Sequence, residues 1–265
     1  MPDQRRINVQ TPSATSTQRN TESPGQDGAA PARDMQVELD EGLLARLEDA
    51  ALSSERVACR DVVQDALATG FAAELLVDCY IPEVSRRLGE QWCADQIGFA
   101  NVTIGVSRLQ SMLRDLGLEW SGDVIGNPAA PTIMLIIPQD AHHTLGAMVV
   151  GSQLRRLGVS VRMMLGIRLE DLATRLQRSS FQAVFISSSS GEKLETLSRI
   201  VDVVKASAVN APPVVVGGSL LDVETSENVT ALTGADYATK IPSEALELCG
   251  ISKILHSEPQ RMRGS

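Results

Sequence analysis

The chain has 265 residues, a formal net charge of −9 at pH 7 and only 3% aromatic residues, which suits one large or two small domains with an apolar core. The acidic balance argues against a broad phosphate-binding surface, so we expect no direct nucleic-acid binding. No apolar run approaches the roughly 20 residues that span a bilayer, so we expect no association with a membrane.

The chain changes character at about residue 35. Residues 1–34 are rich in Pro, Ser, Thr, Gln, Arg and Gly and lack aromatic residues, which predicts a disordered tail. In residues 35–118 the apolar side chains recur at helical spacing, which predicts four or five helices packed as a bundle. We expect Pro82 to interrupt the helix that contains it, and the last helix to end near Leu116.

The second half has a different pattern. Residues 119–131 contain Ser, Gly, Asn and two prolines, which predicts a linker that could act as a hinge. From residue 132 to 256 apolar runs alternate with helical patterns, which indicates a flavodoxin-like or Rossmann-like parallel sheet covered on both faces; residues 257–265 should be frayed. The expected strands are Ile133–Ile137, Val159–Leu165, Ala183–Ser187, Val214–Gly217 and Tyr237–Thr239. The expected helices are Gly146–Leu157, Glu170–Gln177, Lys193–Ala206 and one from Glu244.

The cysteines give no sign of disulfides or of a metal site. Arg5 and Arg6 are not followed by the apolar stretch of a secretory signal, so we expect a cytoplasmic protein with reduced thiols. The cysteines without paired spacing are Cys59, Cys79, Cys93 and Cys249.

Two of the three histidines, His142 and His143, lie together in the short loop after the first strand. Ligands of open α/β sheets bind at the carboxyl ends of the strands, and neutral imidazole is the most common metal-ligating side chain. The loop therefore predicts a cofactor that contains a metal.

The order of the motifs resembles the cobalamin-binding fold, whose fingerprint is Asp-x-His-x-x-Gly, then Ser-x-Leu, then Gly-Gly. His143 is followed three residues later by Gly146, a serine cluster ends one strand, and Gly217-Gly218 ends another. The resemblance implies that the histidine binds cobalt from below. It also implies that the serines (Ser187, Ser188 and Ser189) and the two glycines make room for the nucleotide tail of cobalamin.

Two registers compete for the ligand. Asp140 and His142 keep the Asp-x-His part of the fingerprint, whereas His143 and Gly146 keep His-x-x-Gly. The second register satisfies more positions, so the resemblance assigns the cobalt to His143. It places Ala141 where the family has aspartate, so the second ring nitrogen of the histidine must use Asp140, water or nothing.

Each motif also has a plainer interpretation. The histidines could be ordinary loop residues, and a serine run at a strand end is usually a polar loop. Gly217 and Gly218 could serve only as the glycines of a strand-to-helix turn.

The helical half is similar to the bundle that caps cobalamin in corrinoid proteins and in light-sensing corrinoid repressors. The segment Leu88–Trp92 matches the cap of those photoreceptors, which places Trp92 over the corrin; the alternative is that Trp92 packs in the bundle core. The Glu-His pair of the repressors is replaced by Val102 and Thr103. The resemblance therefore implies a hydroxo- or aquo-cobalamin in preference to the adenosyl form.

The combination of bundle, cobalamin-type domain and polar tail looks most like the AerR/PpaA group of photosynthesis regulators. That resemblance, over roughly residues 39–250, implies an antirepressor rather than an enzyme, responsive to light or redox state, that acts through a CrtJ/PpsR-type DNA-binding repressor. Two alternatives stay open: a corrinoid methyl carrier of a methyltransferase system, and a module that binds haem through His142 or His143.

Overall fold

The computed structural model of the protein describes residues 38–55, 57–125, 130–138, 144–207 and 210–251, and only the backbone of residues 118–125. The predicted tail over residues 1–34 and the predicted frayed end over residues 257–265 lie outside the described residues. No helix among the described residues is long and apolar enough to cross a membrane. The described residues from Leu39 onward form one compact unit.

The first half is the predicted bundle. Helix α1 begins after Asp40, whose carboxylate accepts a hydrogen bond from the Leu43 backbone N–H at 2.7 Å and so caps the helix. The Asp40 backbone N–H donates to the Tyr80 hydroxyl at 2.9 Å, which joins the start of the bundle to its centre. The helices are α1 (Glu41–Leu52), α2 (Ala58–Ala68), α3 (Ala73–Leu75), α4 (Ile81–Cys93) and α5 (Phe99–Ile125).

The expectation that Pro82 interrupts its helix is wrong. A π-helical turn, Leu76–Tyr80, joins α3 to α4, and Pro82 lies in the first turn of α4. Proline has no N–H to donate to the preceding turn, and a wider π turn is one way in which a helix accommodates that loss.

The predicted linker over residues 119–131 is wrong in its first half, because α5 continues to Ile125. A glycine inside a helix costs only about 1 kcal/mol, and a helix that already has five turns extends at little further cost. The end of α5 comes shortly before Pro128, and a residue that precedes proline disfavours the helical conformation. A hinge at residues 119–125 is therefore not what the structure shows.

The second half is a parallel sheet of five strands in the order β2-β1-β3-β4-β5, which is the flavodoxin-like order. The predicted fold class is therefore confirmed. The strands are β1 (Thr132–Ile137), β2 (Ser160–Leu165), β3 (Ala183–Ser188), β4 (Val214–Gly218) and β5 (Tyr237–Ala238). The helices are α6 (Thr144–Arg156), α7 (Leu169–Arg178), α8 (Leu194–Ala206), α9 (Ser226–Thr233) and α10 (Pro242–Leu248), with a 3₁₀ turn at Ser219–Asp222.

Both faces of the sheet are covered, so alternate strand residues enter two separate cores. Leu135, Phe185 and Val215 point to the face that α6 and α10 cover. Ile136 and Ile186 point to the opposite face, which α7, α8 and α9 cover. The serines that end β3 and the glycines that end β4 follow the same alternation.

The bundle packs on helix α6, and the two share one apolar core. Leu109 and Leu113 of α5 are buried together with Leu145 and Val149 of α6. The two helices run side by side in the same direction, because contacts at the start of α6 involve earlier residues of α5 than contacts near its end. The contacts are Gln110 Nε2 to Thr144 Oγ1 at 2.8 Å, and a Cβ placed on Gly117 would lie 3.7 Å from Ser152 Oγ.

Candidate functional site

The candidate site lies where the strand order reverses, between β1 and its neighbour β3. In open α/β sheets ligands bind at the carboxyl ends of the strands beside this switch point. Next to it a crevice lies under α6 and α10, at the ends of β3, β4 and β5. Residues 139–143 connect the carboxyl end of β1 to α6, so the loop with Asp140, His142 and His143 starts and ends at this edge. These three residues lie outside the described residues, as does the third histidine, and no metal-binding cluster occurs among the residues that are described.

The three serines at the end of β3 do different things. Ser187 faces the core under α6 and α10 and lines the crevice, and the described residues offer its hydroxyl no hydrogen-bond partner. Ser188 points to the other face, is 3% exposed, and donates from its hydroxyl to the Gly217 carbonyl oxygen at 2.8 Å. The Ser189 carbonyl oxygen accepts from the Glu192 N–H at 3.0 Å in a tight turn. Only Ser187 is placed to meet a ligand in the crevice.

Gly217 and Gly218 are both required by close backbone approach. Gly218 has a φ of 106°, and a Cβ there would lie 2.1 Å from the Ser188 carbonyl oxygen. A Cβ on Gly217 would lie 2.7 Å from the Thr239 carbonyl oxygen and would fill the crevice. The plainer interpretation, a glycine demanded by the turn, accounts for Gly218, whereas Gly217 also keeps the crevice open.

Gly146 differs from these two glycines. It lies exposed in the first turn of α6, and a Cβ placed on it would meet nothing within 4 Å. No contact and no unusual backbone angle therefore explains a glycine at this position. The position is the one that the cobalamin-binding fingerprint gives to a glycine, His-x-x-Gly, three residues after His143.

The crevice itself is narrow. Its cavity of about 40 Å³ holds about one water molecule, so the nucleotide tail of cobalamin fits only if the walls separate. One wall of the crevice is small, because β5 has only two residues and α10 has only seven. As it stands the crevice is too narrow for a nucleotide tail, although the small and polar residues of its lining suit one. The lining comes from Leu135, Val150, Phe185, Ile186, Ser187, Val215, Gly217, Gly218, Thr239–Pro242 and Ala245.

Trp92 and Phe99 form an exposed aromatic pair at the top of the bundle. Their ring centroids are 5.9 Å apart, and the side chains are 45% and 68% exposed. The alternative that placed Trp92 in the bundle core is therefore wrong. Phe99 precedes Gly117 by five helical turns, so it lies on the side of α5 that faces α6, about 16 Å beyond the Gln110 contact at the start of α6. The pair thus stands on the side of the sheet's carboxyl edge.

The side chains of Val102 and Thr103, which replace the expected Glu-His pair, both make contacts within the bundle. Val102 packs partly buried against the bundle core. The Thr103 hydroxyl donates to the Phe99 carbonyl oxygen at 2.8 Å. Neither residue can place a metal-ligating nitrogen above a corrin.

An ion-pair network stiffens helix α4, which carries Trp92. The Glu83 carboxylate accepts from Arg86 at 2.7 Å and from Arg87 at 3.0 Å, and Arg87 also donates to Glu41 on α1 at 2.8 Å. The hydrogen bond from Arg86, with that from Arg87, lowers the pKa of Glu83 to about 2. The network holds α1 and α4 together and fixes the helix that presents the aromatic pair.

One contact that the sequence analysis missed joins the bundle to the far end of α6. Asp78, in the middle of the π turn, accepts from Arg156 at 2.5 Å, and the two side chains are 27% and 17% exposed. The second carboxylate oxygen of Asp78 is buried without a partner among the described residues. No sequence signal pairs residues 78 positions apart.

The comparisons with known proteins agree with this geometry. Residues 131–248 match the B12 binding domain. A Rhodobacter capsulatus protein, the uncharacterized 20.5 kDa protein in the bchF-crtJ intergenic region, is 38% identical over 160 residues, which are 60% of this chain and 82% of that protein. The chain belongs to the family of this protein. The AerR/PpaA-type prediction is thereby confirmed, and the predicted sheet half carries a B12 binding domain.

Structural comparison supports the two-part architecture of this family member. The monomethylamine corrinoid protein of Methanosarcina barkeri aligns with a TM-score of 0.61 over 80% of this chain and 99% of its own, at 14% identity. That alignment is longer than the sheet domain, so it extends into the bundle. At this identity the likeness shows a shared fold.

Proposed function

We propose that the protein is a cobalamin-binding transcriptional regulator that relieves repression of photosynthesis genes by binding a CrtJ/PpsR-type DNA-binding repressor. The observation that carries this proposal is its membership of the family of a protein named for the bchF-crtJ region. A B12 binding domain under a bundle that ends in an exposed aromatic pair supports the sensing half.

In this proposal different residues of the chain hold different parts of the cofactor. His143 would hold the cobalt through one ring nitrogen, and Asp140 or water would accept the proton on the other ring nitrogen. Gly146 and Gly217 leave space for the tail, and the free hydroxyl of Ser187 hydrogen-bonds it. Bound cobalamin would supply a cobalt centre whose upper ligand depends on light or on redox state.

The residues of the helical cap favour a cobalamin whose upper ligand is small. Trp92 and Phe99 offer aromatic surface, while Val102 and Thr103 offer no imidazole. We therefore expect hydroxocobalamin to bind more tightly than adenosylcobalamin. Calorimetric titration in the dark measures this, and tighter binding of adenosylcobalamin would contradict it.

The signal requires two conformations with different affinity for cobalamin, because a ligand that binds both equally shifts nothing. The narrow crevice is one conformation, and the opened crevice that admits the tail is the other. Opening of the crevice displaces the small wall that β5 and α10 form. The aromatic pair of Trp92 and Phe99 closes over the cofactor. The surface presented to a repressor thereby changes with the cofactor.

The histidine register supplies the first test. Variants His143→Ala and His142→Ala are purified and titrated with hydroxocobalamin, and the visible spectrum reports ligation. The proposal expects His143→Ala to abolish binding and His142→Ala to weaken it much less. Equal losses, or a loss in His142→Ala alone, would reject the register.

The repressor supplies the second test. A purified CrtJ/PpsR-type repressor is pulled down by the chain with and without hydroxocobalamin, and with Trp92→Ala. The proposal expects cobalamin to change the captured amount and Trp92→Ala to reduce that change. Capture that is equal in every condition would reject the regulator.

A corrinoid methyl carrier is the alternative that the shared fold of the Methanosarcina barkeri protein favours. A carrier must reach a methyltransferase and accept a methyl group on reduced cobalt, so methyl transfer from a methylated amine with added methyltransferase would support it. A haem-binding redox sensor that uses His142 or His143 is distinguished by the visible spectrum of the protein purified with haem.

A further inference from the structure

Strand β2 is an edge strand with one open side. Among the described residues its only partner is β1. The Ser160 N–H donates to the Pro131 carbonyl oxygen at 2.8 Å and the Gly166 N–H donates to the Ile137 carbonyl oxygen at 3.0 Å. Because alternate residues of a strand turn their backbone groups to opposite sides, the groups of Val161, Met163 and Leu165 face outward.

A groove runs beside this open edge, between β2 and helix α7. Its volume is about 680 Å³. Its apolar part comes from Met163, Met164, Leu165 and Ile167, and methionine side chains adapt to varied partners. A strand edge facing a helix across an apolar groove is the arrangement in which extended peptides add a strand to a sheet.

The helix side of the groove is basic in an acidic protein. Arg175 and Arg178 line it, and Arg162 is exposed on the neighbouring strand. None of these three arginines makes an ion pair within the part of the chain that the structure describes, whereas Asp171 is paired with Arg168 at 2.9 Å. With a net charge of −9 on the whole chain, this concentration of unpaired positive charge is local.

We propose that the β2–α7 groove binds an extended acidic segment of a partner protein, which adds a strand to the edge of β2 and pairs its carboxylates with Arg175 and Arg178. Backbone hydrogen bonds to Val161, Met163 and Leu165 supply the attachment, and the arginines supply the selection for acidic residues. This surface lies on the edge of the sheet opposite to β5. It therefore does not depend on cobalamin in the crevice.

Two other occupants have the wrong charge. The C-terminal segment over residues 252–265 contains Lys253, Arg261 and Arg263 against Glu258, so the groove would repel it. A second copy of the chain would bring the Arg162 of each β2 to the same seam, and like charges at a strand pair are unfavourable. Isolated arginines also protect edge strands from aggregation, which the experiment has to separate from ligand binding.

The test uses the full chain and three fluorescein-labelled ten-residue peptides, followed by fluorescence anisotropy. One peptide alternates Glu with Val, one alternates Lys with Val, and one has the Glu-Val sequence with every backbone nitrogen methylated. The N-methylated peptide keeps the charge but has no backbone N–H to donate to the edge. We expect binding of the Glu-Val peptide alone, weakened by salt as exposed ion pairs are.

Two variants separate charge from backbone pairing. The double change Arg175→Glu with Arg178→Glu should weaken the Glu-Val peptide by about tenfold or more, whereas Arg199→Glu, exposed on α8 outside the groove, should not. Leu165→Pro removes one outward backbone N–H at a residue that is 59% exposed, so it should weaken binding relative to Leu165→Ala.

Three results would overturn the proposal. Equal binding of the N-methylated peptide would show charge attraction without strand addition. Absence of Glu-Val binding would leave the arginines as protection of the edge. A dimer in sedimentation analysis that Leu165→Pro dissociates would assign the edge to a second copy. None of these results bears on cobalamin binding, which the His143 variant tests separately.

Discussion

The two ends of the contact between bundle and sheet domain are built differently. At the lower end Leu109, Leu113, Leu145 and Val149 are buried in one core. Beyond the upper end, on the side of the sheet's carboxyl edge, Trp92 and Phe99 stand exposed. Buried apolar contact is what stabilises a fold, and exposed aromatic surface is what a bound ligand can still cover. We therefore interpret the lower end as scaffold and propose the upper end as part of the cofactor site.

The largest expected effect separates the two ends by truncation. Leu109→Ala removes a fully buried side chain from the lower end and should lower the free energy of unfolding by about 2–5 kcal/mol. Phe99→Ala removes a side chain that is 68% exposed and should change it by less than about 1 kcal/mol while weakening cobalamin binding. Urea unfolding and cobalamin titration measure both. Similar stability losses in the two variants would end the distinction.

The next largest effect concerns the ion pair between Asp78 and Arg156. Asp78→Ala leaves the partly buried Arg156 without its carboxylate and should cost about 1–3 kcal/mol of unfolding free energy. The control is Asp65→Ala, which breaks the Arg46 pair, whose side chains are 52% and 67% exposed, and should cost less than about 1 kcal/mol. If the two variants lose the same amount, Asp78 does not hold the bundle to α6.

The network below Trp92 should show in the pH dependence of stability. The pKa of Glu83 is lowered to about 2 by Arg86 and Arg87, so its stabilising contribution is present above the ordinary value of 4.5. It is lost as the pH falls from about 4.5 toward 2. We expect Glu83→Gln to lower the free energy of unfolding by about 0.5–1 kcal/mol at pH 6 and by less at pH 3. A difference that stays constant between these pH values would reject the role of the network.

The smallest effect has opposite signs for stability and binding. Gly146→Ala adds a Cβ to open space in the first turn of α6, so it should raise the unfolding free energy by about 0.4–1 kcal/mol. The same Cβ occupies the space reserved for the cofactor and should weaken cobalamin binding. The control is Gly89→Ala, a helical glycine of α4 where a Cβ also meets nothing within 4 Å. Unchanged cobalamin affinity in Gly146→Ala would remove this residue from the site.

Strands and most helices could be predicted because each leaves a local pattern. The strand Ile133–Ile137 was predicted within one residue of β1, since a strand buried on both faces is a continuous apolar run. Helix α9 was missed because it is short and polar. Its signals were Thr225, which caps it by accepting from Asn228 N–H at 3.2 Å, and the left-handed Gly234 at its end.

The sequence predicts the serines and glycines of the candidate site, but only in part how each of them is placed. The alternation of β3 could have separated Ser187 from Ser188, because Ser188 shares its face with the buried Ile186. The width of the crevice could not be predicted, since it depends on how closely the backbones of Gly217 and Thr239 approach. The position of Phe99 over the edge depends on the parallel packing of α5 on α6, which no local pattern encodes.

The most direct test of the account asks whether cobalamin binds beneath Trp92. A Trp120→Phe variant leaves Trp92 as the only tryptophan, and its fluorescence is followed during titration with hydroxocobalamin, whose absorption quenches nearby indole. The account predicts saturable quenching with one cobalamin per chain, and its loss in the same variant with His143→Ala. Quenching that rises linearly without saturation, or that persists unchanged with His143→Ala, would contradict it.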